Sequence, residues 1–244
     1  MAGATSSKGG EVISNWTLYN CYVLPSPKDS RGGILETLGV LTEVMSRGGG
    51  VGLCLSTLRP RYAIVRGVHG KSSGAVSWGG IYSFATGLIE QGGSRRGALM
   101  LMLDDWHPDV IEFIGSKKQK GMIENANISV KVSDEFMEKV KSNGMWNLEY
   151  PDYEENFEAY ENEWDGNVRT WKKKGYPTKV YKTINARELW DLIISSAHKS
   201  AEPGVVFMER YNKLSNSWYY NELICTNPCG EQGLPAWGVC NLGH

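Results

Sequence analysis

The chain reads as an α/β fold built on a parallel sheet, and three features of its 244 residues carry that reading. Apolar positions at helical spacing alternate with short extended runs, the order expected where each strand is followed by a helix crossing back over the sheet. Residues 98–103, Ala-Leu-Met-Leu-Met-Leu, run without a polar break between Gly97 and Asp104; a strand with no polar alternation is one buried on both faces. Glycines at 48–50 and at 92–93 close the helical stretches, as helix-stopping residues do.

In order, Tyr19 to Leu24 is a strand that ends in the turn-rich Pro25-Ser26-Pro27-Lys28-Asp29-Ser30. Ile34, Leu35, Leu38, Leu41, Val44 and Met45 recur at helical spacing, and Val51 to Leu55 is extended. A second helix carries Val76, Ile81, Tyr82, Phe84, Ala85, Leu88 and Ile89. After the 98–103 strand, Asp105 to Ile114 reads as a short helix with Pro108 tolerated in its first turn. Ile128 to Val132 is a strand, Ser133-Asp134-Glu135 opens a helix to about Ser142, and Trp146 to Tyr150 is a further strand. Residues 151–180 crowd acidic, aromatic and basic side chains with little periodicity, and read as a surface insertion whose charges form a solvated face. Asn185 caps a helix through Leu189, Trp190, Leu192, Ile193 and Ile194 to Ala201, and Pro203-Gly204 leads into a strand from Val205 to Met208. Arg210 to Leu223 is polar and aromatic.

With 26 basic and 27 acidic side chains the formal net charge is −1, so no whole-protein field draws in nucleic acid or an anionic membrane, and any phosphate must be bound locally. No apolar run reaches the roughly 20 residues of a membrane span, and the first residues lack the apolar core of a secretory signal; a cytoplasmic location is expected. Cysteines at 21, 54, 225, 229 and 240 have neither zinc-ribbon spacing nor a secreted disulfide framework. The histidines at 69, 107, 198 and 244 are scattered, so no metal cluster is visible. His107, at a helix start, could ligate a metal but is more simply a satisfied structural residue, and it is assigned no role.

The most informative stretch is Ile224-Cys225-Thr226-Asn227-Pro228-Cys229-Gly230-Glu231-Gln232. In an extended segment alternate side chains share a side, so Asn227, Cys229 and Glu231 would face one substrate: an amide to bond a hydroxyl, a thiol able to become a radical, and a carboxylate to take a proton. A Pro/Gly turn around a buried cysteine is the plainer alternative.

This stretch resembles the Asn-x-Cys-x-Glu finger loop of ribonucleotide reductase catalytic subunits, most closely the adenosylcobalamin-dependent class. The resemblance extends, in the family's order, to residues 20–25 (NCYVLP), 46–52 (SRGGGVG), 56–61 (STLRPR), 72–78 (SSGAVSW), 91–98 (QGGSRRGA), 105–109 (DWHPD) and 240–243 (CNLG). It implies the first half of a ten-stranded α/β barrel, one partial catalytic domain over residues 1–244, with a central finger loop near the end of the chain. By the same likeness Cys229 is the thiyl-radical residue, Glu231 the base for the ribose 3′-hydroxyl, Asn227 the amide that holds the ribose hydroxyls, and Cys21 with Cys240 the redox pair that ends as a disulfide. Thr5, Asn20, Gly49 and Gly50 match substrate-contacting positions, the glycines offering close backbone approach and free N–H groups. Asp29, Ser46 and Arg95 match effector-binding positions at a dimer interface, and Lys118 and Gln119 begin the loop that relays effector identity.

Radical-based reduction of ribonucleotides to deoxyribonucleotides is therefore the expected function. The partners implied are a ribonucleotide substrate, a deoxynucleotide or ATP effector, a thioredoxin-like reductant, a chain completing the barrel and a second copy in a homodimer. The cofactor implied is adenosylcobalamin, or else none in this chain with a separate radical-generating subunit. The alternatives are a non-catalytic nucleotide-binding or assembly module and a thiol oxidoreductase built on Cys225 and Cys229; the role of Cys225 stays open.

Overall fold

The computed structural model describes residues 6–8, 11–13, 17–66, 70–91, 95–118 and 122–241. In chain order the strands that position the site are β1 (Cys21–Val23), β2 (Gly50–Cys54), β3 (Leu99–Asp104), β4 (Asn127–Lys131), β5 (Met145–Pro151), β6 (Thr178–Asn185), β7 (Gly204–Val206), β8 (Leu223–Thr226), β9 (Gly233–Pro235) and β10 (Val239–Cys240). The helices are α1 (Arg31–Ser46), α2 (Ala75–Leu88), α3 (Val110–Gly115), α4 (Asp134–Lys141), α5 (Phe157–Glu163), α6 (Val168–Lys173), α7 (Ala186–Ser200) and α8 (Met208–Leu214).

One six-stranded sheet, in the order β7-β4-β3-β2-β1-β10, organises the rest. Its first five strands are parallel, and β10 pairs antiparallel on the edge of β1. Parallel pairing demands crossovers, and the helices supply them. The α/β class with a parallel sheet thus stands as expected. So does the doubly buried strand: Leu99 to Leu103 are all buried.

The period-two alternation divides the sheet into two unlike faces. Val51, Leu53, Leu99, Leu101, Leu103, Ile128 and Val130 point into the main core with Leu41, Met45, Tyr82, Phe113, Phe136, Leu189 and Ile193 of the helices. Cys54, Met100 and Met102 point the other way, into a smaller cluster with Val23, Val206, Met208, Leu223, Cys225 and Leu234. On that second face a β8–β9 hairpin replaces the helices.

Local chemistry sets the helix boundaries. Ser30, Ser133 and Asn185 each accept from backbone N–H groups of the first turns of α1, α4 and α7, the orphan donors a cap must satisfy. Gly74, ahead of α2, gives no side-chain cap; the Asp109 carboxylate does so from elsewhere in the chain, accepting from Ala75 N at 2.8 Å and Arg61 N at 3.0 Å. The helix expected from Asp105 starts later, at Val110, because residues 105–109 form turns.

The segment 151–180 is packed more deeply than a solvated excursion. Many of its charged side chains, among them Glu154, Glu155 and Lys172 to Lys174, are exposed, but Tyr153, Tyr160, Val168 and Trp171 lie in the main core. Tyr160 Oη donates to Asp29 at 2.5 Å and Trp164 Nε1 to the Thr57 carbonyl at 2.9 Å. Alternating charge and aromatic residues hid a pair of short helices whose buried side holds only a few large rings. The expected strand from Val205 to Met208 is likewise shorter, because Met208 opens α8. Among the described residues no helix is long and apolar enough to cross a membrane.

Candidate functional site

The β8–β9 hairpin lies so close to the sheet that strand β2 must be bare beneath it. A Cβ at Gly52 would stand 1.8 Å from the Thr226 carbonyl oxygen, and one at Gly50 would stand 2.6 Å from the Pro228 ring. These alternate glycines point to the hairpin face, and their missing side chains create its seat.

At the tip the chain turns sharply. Gly230 N donates to the Asn227 carbonyl at 3.0 Å and Asn227 N to the Gln232 carbonyl at 3.1 Å, with Gly230 at φ 87°, a conformation that favours glycine. The segment is therefore a hairpin turn, not the extended run from which a shared side was inferred; side-chain bonds join Asn227 to Glu231 and to Cys21, and Cys229 stands on the turn between them. Asn227 is fully buried. Its Nδ2 donates to Glu231 Oε1 at 2.5 Å and to Cys21 Sγ at 3.5 Å, while its Oδ1 accepts from Gln232 N at 2.9 Å. Cys229 and Glu231 are exposed.

Cys21 and Cys240 are directly opposed in the antiparallel β1–β10 pair. Residues so placed have Cα atoms about 4.5–5.5 Å apart, inside the range a disulfide requires; both are free thiols here. Burial pushes the Cys21 thiol up to about 12, with Asn227 opposing and Cys240 and Glu231 adding to the rise. The Cys229 thiol is also raised, first by partial burial and then by the nearby Glu231 carboxylate and Cys21. Both sulfurs therefore keep their hydrogens near neutral pH. Cys225 is fully buried against β2 and strongly raised by that burial, and Cys54 packs beside it in the smaller core, so neither is placed to exchange with an external thiol.

Other expected positions are distributed more widely. Asn20, just ahead of β1, bridges the strands on either side of it, its N–H donating to the Cys240 carbonyl of β10 at 3.2 Å and its carbonyl accepting from Gly50 N of β2 at 2.8 Å. The free N–H groups expected at residues 48–50 are not free: Gly48 donates to Met45, Gly49 to Val44 and Gly50 to Asn20. What Gly49 and Gly50 provide is space, for the Tyr22 ring and for Pro228. Thr5 and Gln119 lie outside the described residues, as does the side chain of Arg95.

Asp29 is committed internally, to Arg59 Nε at 2.6 Å and to Tyr160. Ser46 Oγ donates to the Glu43 carbonyl and Lys118 Nζ to Ser196 Oγ at 3.0 Å. Asp29 and Ser46 also flank opposite ends of the 16-residue α1, about 24 Å of helix. One chain does not bring them to a single nucleotide.

His107 is buried with both ring nitrogens engaged, Nε2 with the Leu58 carbonyl and Nδ1 with Asp109 N. Among the described residues no group of three or more His, Cys, Asp or Glu could hold a metal ion. What adjoins the turn is an open groove of about 1150 Å³ lined by Tyr211, Leu214, Tyr219, Tyr220, Gly230 and Leu234. It has room for a large group met by both aromatic and polar side chains, Arg210, Asn216 and Gln232 among the latter, and its lining offers no cobalt-ligating imidazole. Two features of the site escaped sequence reading. Gly52 carried a signal, a second glycine two residues after Gly50 in an apolar strand; Asn127, which bonds the Pro228 carbonyl at 2.8 Å, carried none.

Residues 19–244 match the family model described as ribonucleotide reductase, barrel domain. The chain is 39% identical over 224 residues to the vitamin B12-dependent ribonucleoside-diphosphate reductase of Thermoplasma acidophilum, covering 91% of this chain and 26% of that protein. It is 35% identical over 227 residues to the like-named protein of Mycobacterium tuberculosis, covering 93% and 29%. Against the ribonucleoside-diphosphate reductase large subunit of Variola virus it is 30% identical over 239 residues, covering 94% and 31%. The chain thus spans between a quarter and a third of the length of these relatives.

Proposed function

The chain belongs to the ribonucleotide reductase barrel-domain family, and from that premise we propose that it supplies the thiol-bearing half of the catalytic barrel in an enzyme reducing ribonucleotides to deoxyribonucleotides. The observation that supports this reading is that Asn227 bonds both Glu231 and Cys21, that Cys21 opposes Cys240, and that Cys229 lies near enough to Glu231 and Cys21 to feel their charge. In this reading the five parallel strands are half of a ten-stranded barrel and the antiparallel β10 belongs with the other half. The hairpin tip then serves as the finger loop.

Each residue has a task that its surroundings favour. The Cys229 sulfur, exposed and protonated, would give up its S–H hydrogen atom to an organic radical from the cofactor, take the 3′-hydrogen from the ribose as a thiyl, and later return it. Glu231, held by the Asn227 amide, accepts the proton of the 3′-hydroxyl. Cys21 or Cys240 donates a proton as the 2′-hydroxyl leaves as water, and the pair closes to a disulfide that an external dithiol reduces. Raised thiol pKa values suit this sequence, because hydrogen-atom transfer needs S–H and a thiolate has none to give. Adenosylcobalamin, when bound, would supply the organic radical chemistry that the Cys229 thiol needs; the mixed groove beside the turn, with Tyr211, Tyr219, Arg210 and Asn216, is the surface that would hold it. The B12-dependent relatives favour that cofactor over a separate radical subunit, which the viral relative keeps as the alternative.

The committed bonds of Asp29 give it a positioning role in an effector site, with Ser46, Arg95, Lys118 and Gln119 meeting the deoxynucleotide or ATP across two copies of the chain. A cytoplasmic setting, where thiols stay reduced, suits the free cysteines. The test is ribonucleotide reduction by the chain with a completing polypeptide, adenosylcobalamin and a dithiol. Cys229→Ala should abolish product, a loss of more than about 10³-fold, without changing the thermal transition. Product formed at the wild-type rate by that variant would overturn the reading. The alternative, a non-catalytic nucleotide-binding module, predicts deoxynucleotide binding with no turnover in any assembly.

A further inference from the structure

The peptide joining Pro228 to Cys229 is held from outside its own hairpin. Asn127, the first residue of β4, donates its Nδ2 to the Pro228 carbonyl at 2.8 Å, across 101 residues of sequence. A peptide group is planar, so fixing that carbonyl fixes the plane from which the Cys229 Cα departs. The Pro228 ring is seated in the space left by Gly50, and on the far side of Cys229 the Gly230 N–H is tied to Asn227. The thiol residue is thus gripped before and after, and of the three grips the one from β4 is the hydrogen bond donated from outside the hairpin.

The support behind Asn127 is rigid. Ile128, Ser129 and Val130 are buried in the sheet, and just upstream Asn125 N donates to Ser83 Oγ of α2 at 2.8 Å. The Asn127 side chain itself is exposed, so its bond to the turn is not a by-product of core packing.

We propose that Asn127 is a positioning residue for Cys229, holding the radical-bearing thiol at its working distance from substrate. The proposal deepens the reductase reading and rests on it for the catalytic half of its test. Asn127→Asp keeps the shape, but its carboxylate cannot donate and repels the Pro228 carbonyl; Asn127→Ala removes the contact.

In the full chain, alkylation of Cys229 by iodoacetamide is followed by peptide mass spectrometry, with buried Cys54 and Cys225 as folding controls. Both variants should label Cys229 at least about threefold faster with the controls still protected. In the assembly that turns over, both should lower kcat at least about tenfold with KM within about twofold, the split expected of lost transition-state positioning. Should Asn127→Ala expose the control cysteines, the isosteric Asp variant carries the test alone. Wild-type labelling and wild-type kcat in Asn127→Asp would overturn the proposal. Faster labelling, with no ribonucleotide reduced by any assembly of the wild-type chain, would uphold the grip on Cys229 and remove the reductase reading.

Discussion

The two faces of the central sheet are made from the same five parallel strands and do opposite work. On the helix side, Leu53, Leu101, Leu103 and Val130 are large, branched and fully buried, and the face is filled to the density that stability requires. On the hairpin side the same strands present Gly50, Gly52, Cys54, Met100 and Met102. That face is hollowed by glycine to let a second piece of backbone touch it and lined with pliable, sulfur-bearing side chains. Period-two alternation places a rigid foundation one residue away from a thiol site.

Exchanging the properties of the faces breaks this division. The largest effect should come from Gly52→Val. The hairpin cannot remain with a side chain 1.8 Å from the Thr226 oxygen, so the turn is displaced, turnover is lost, and stability falls by about 3 kcal/mol, the upper end for overpacking. Denaturant unfolding together with Cys229 labelling checks it. Leu101→Ala, on the opposite face and fully buried, should cost a similar or slightly smaller amount, about 3 kcal/mol, while the folded fraction keeps its Cys229 reactivity. Equal damage to the thiol site by both variants would mean the faces are not separable.

A smaller effect sharpens the boundary at the carboxyl end of β3. Asp105, fully buried, has its carboxyl pushed up to about 7, chiefly by burial and against the bond from Ser133 N. The folded protein holds that proton more tightly than the unfolded chain does. The stability it contributes is therefore complete below the ordinary carboxylate range, near pH 4, and is lost as pH rises through about 7. Thermal melts across this window should show the decline in the wild type and a flatter profile in Asp105→Asn. Matching profiles would place the titrating group elsewhere.

How far the sequence revealed this structure depended on where the determining contacts lie. Helix α4 was legible because Ser133 and the apolar spacing behind it are local signals, as were the Asn185 cap and the unbroken strand at 99–103. Helix α8 and the ribbon strand β6 were missed, since their patterns follow partners far along the chain: β6 pairs with the largely buried β5, and its own residues are half-buried or exposed and mixed in character. The aromatic side chains of 151–180 looked solvated because charges surround them in sequence, whereas in space Tyr160 and Trp164 reach Asp29 and Thr57.

At the site, chemistry was easier to read than geometry. The residue types at 227, 229 and 231 suggested what the loop could do; that Asn227 would spend its amide on Glu231 and Cys21, or that Gly50 would donate its N–H internally, depends on tertiary approach that no local pattern encodes.

The central claim, that the hairpin thiol and the opposed strand pair form one reaction site, is tested most directly by disulfide mapping after a single turnover without external reductant. A Cys21–Cys240 disulfide should appear in a one-to-one ratio with deoxynucleotide formed, with Cys54 and Cys225 still reduced. Deoxynucleotide formed while Cys21 and Cys240 both remain thiols would contradict it.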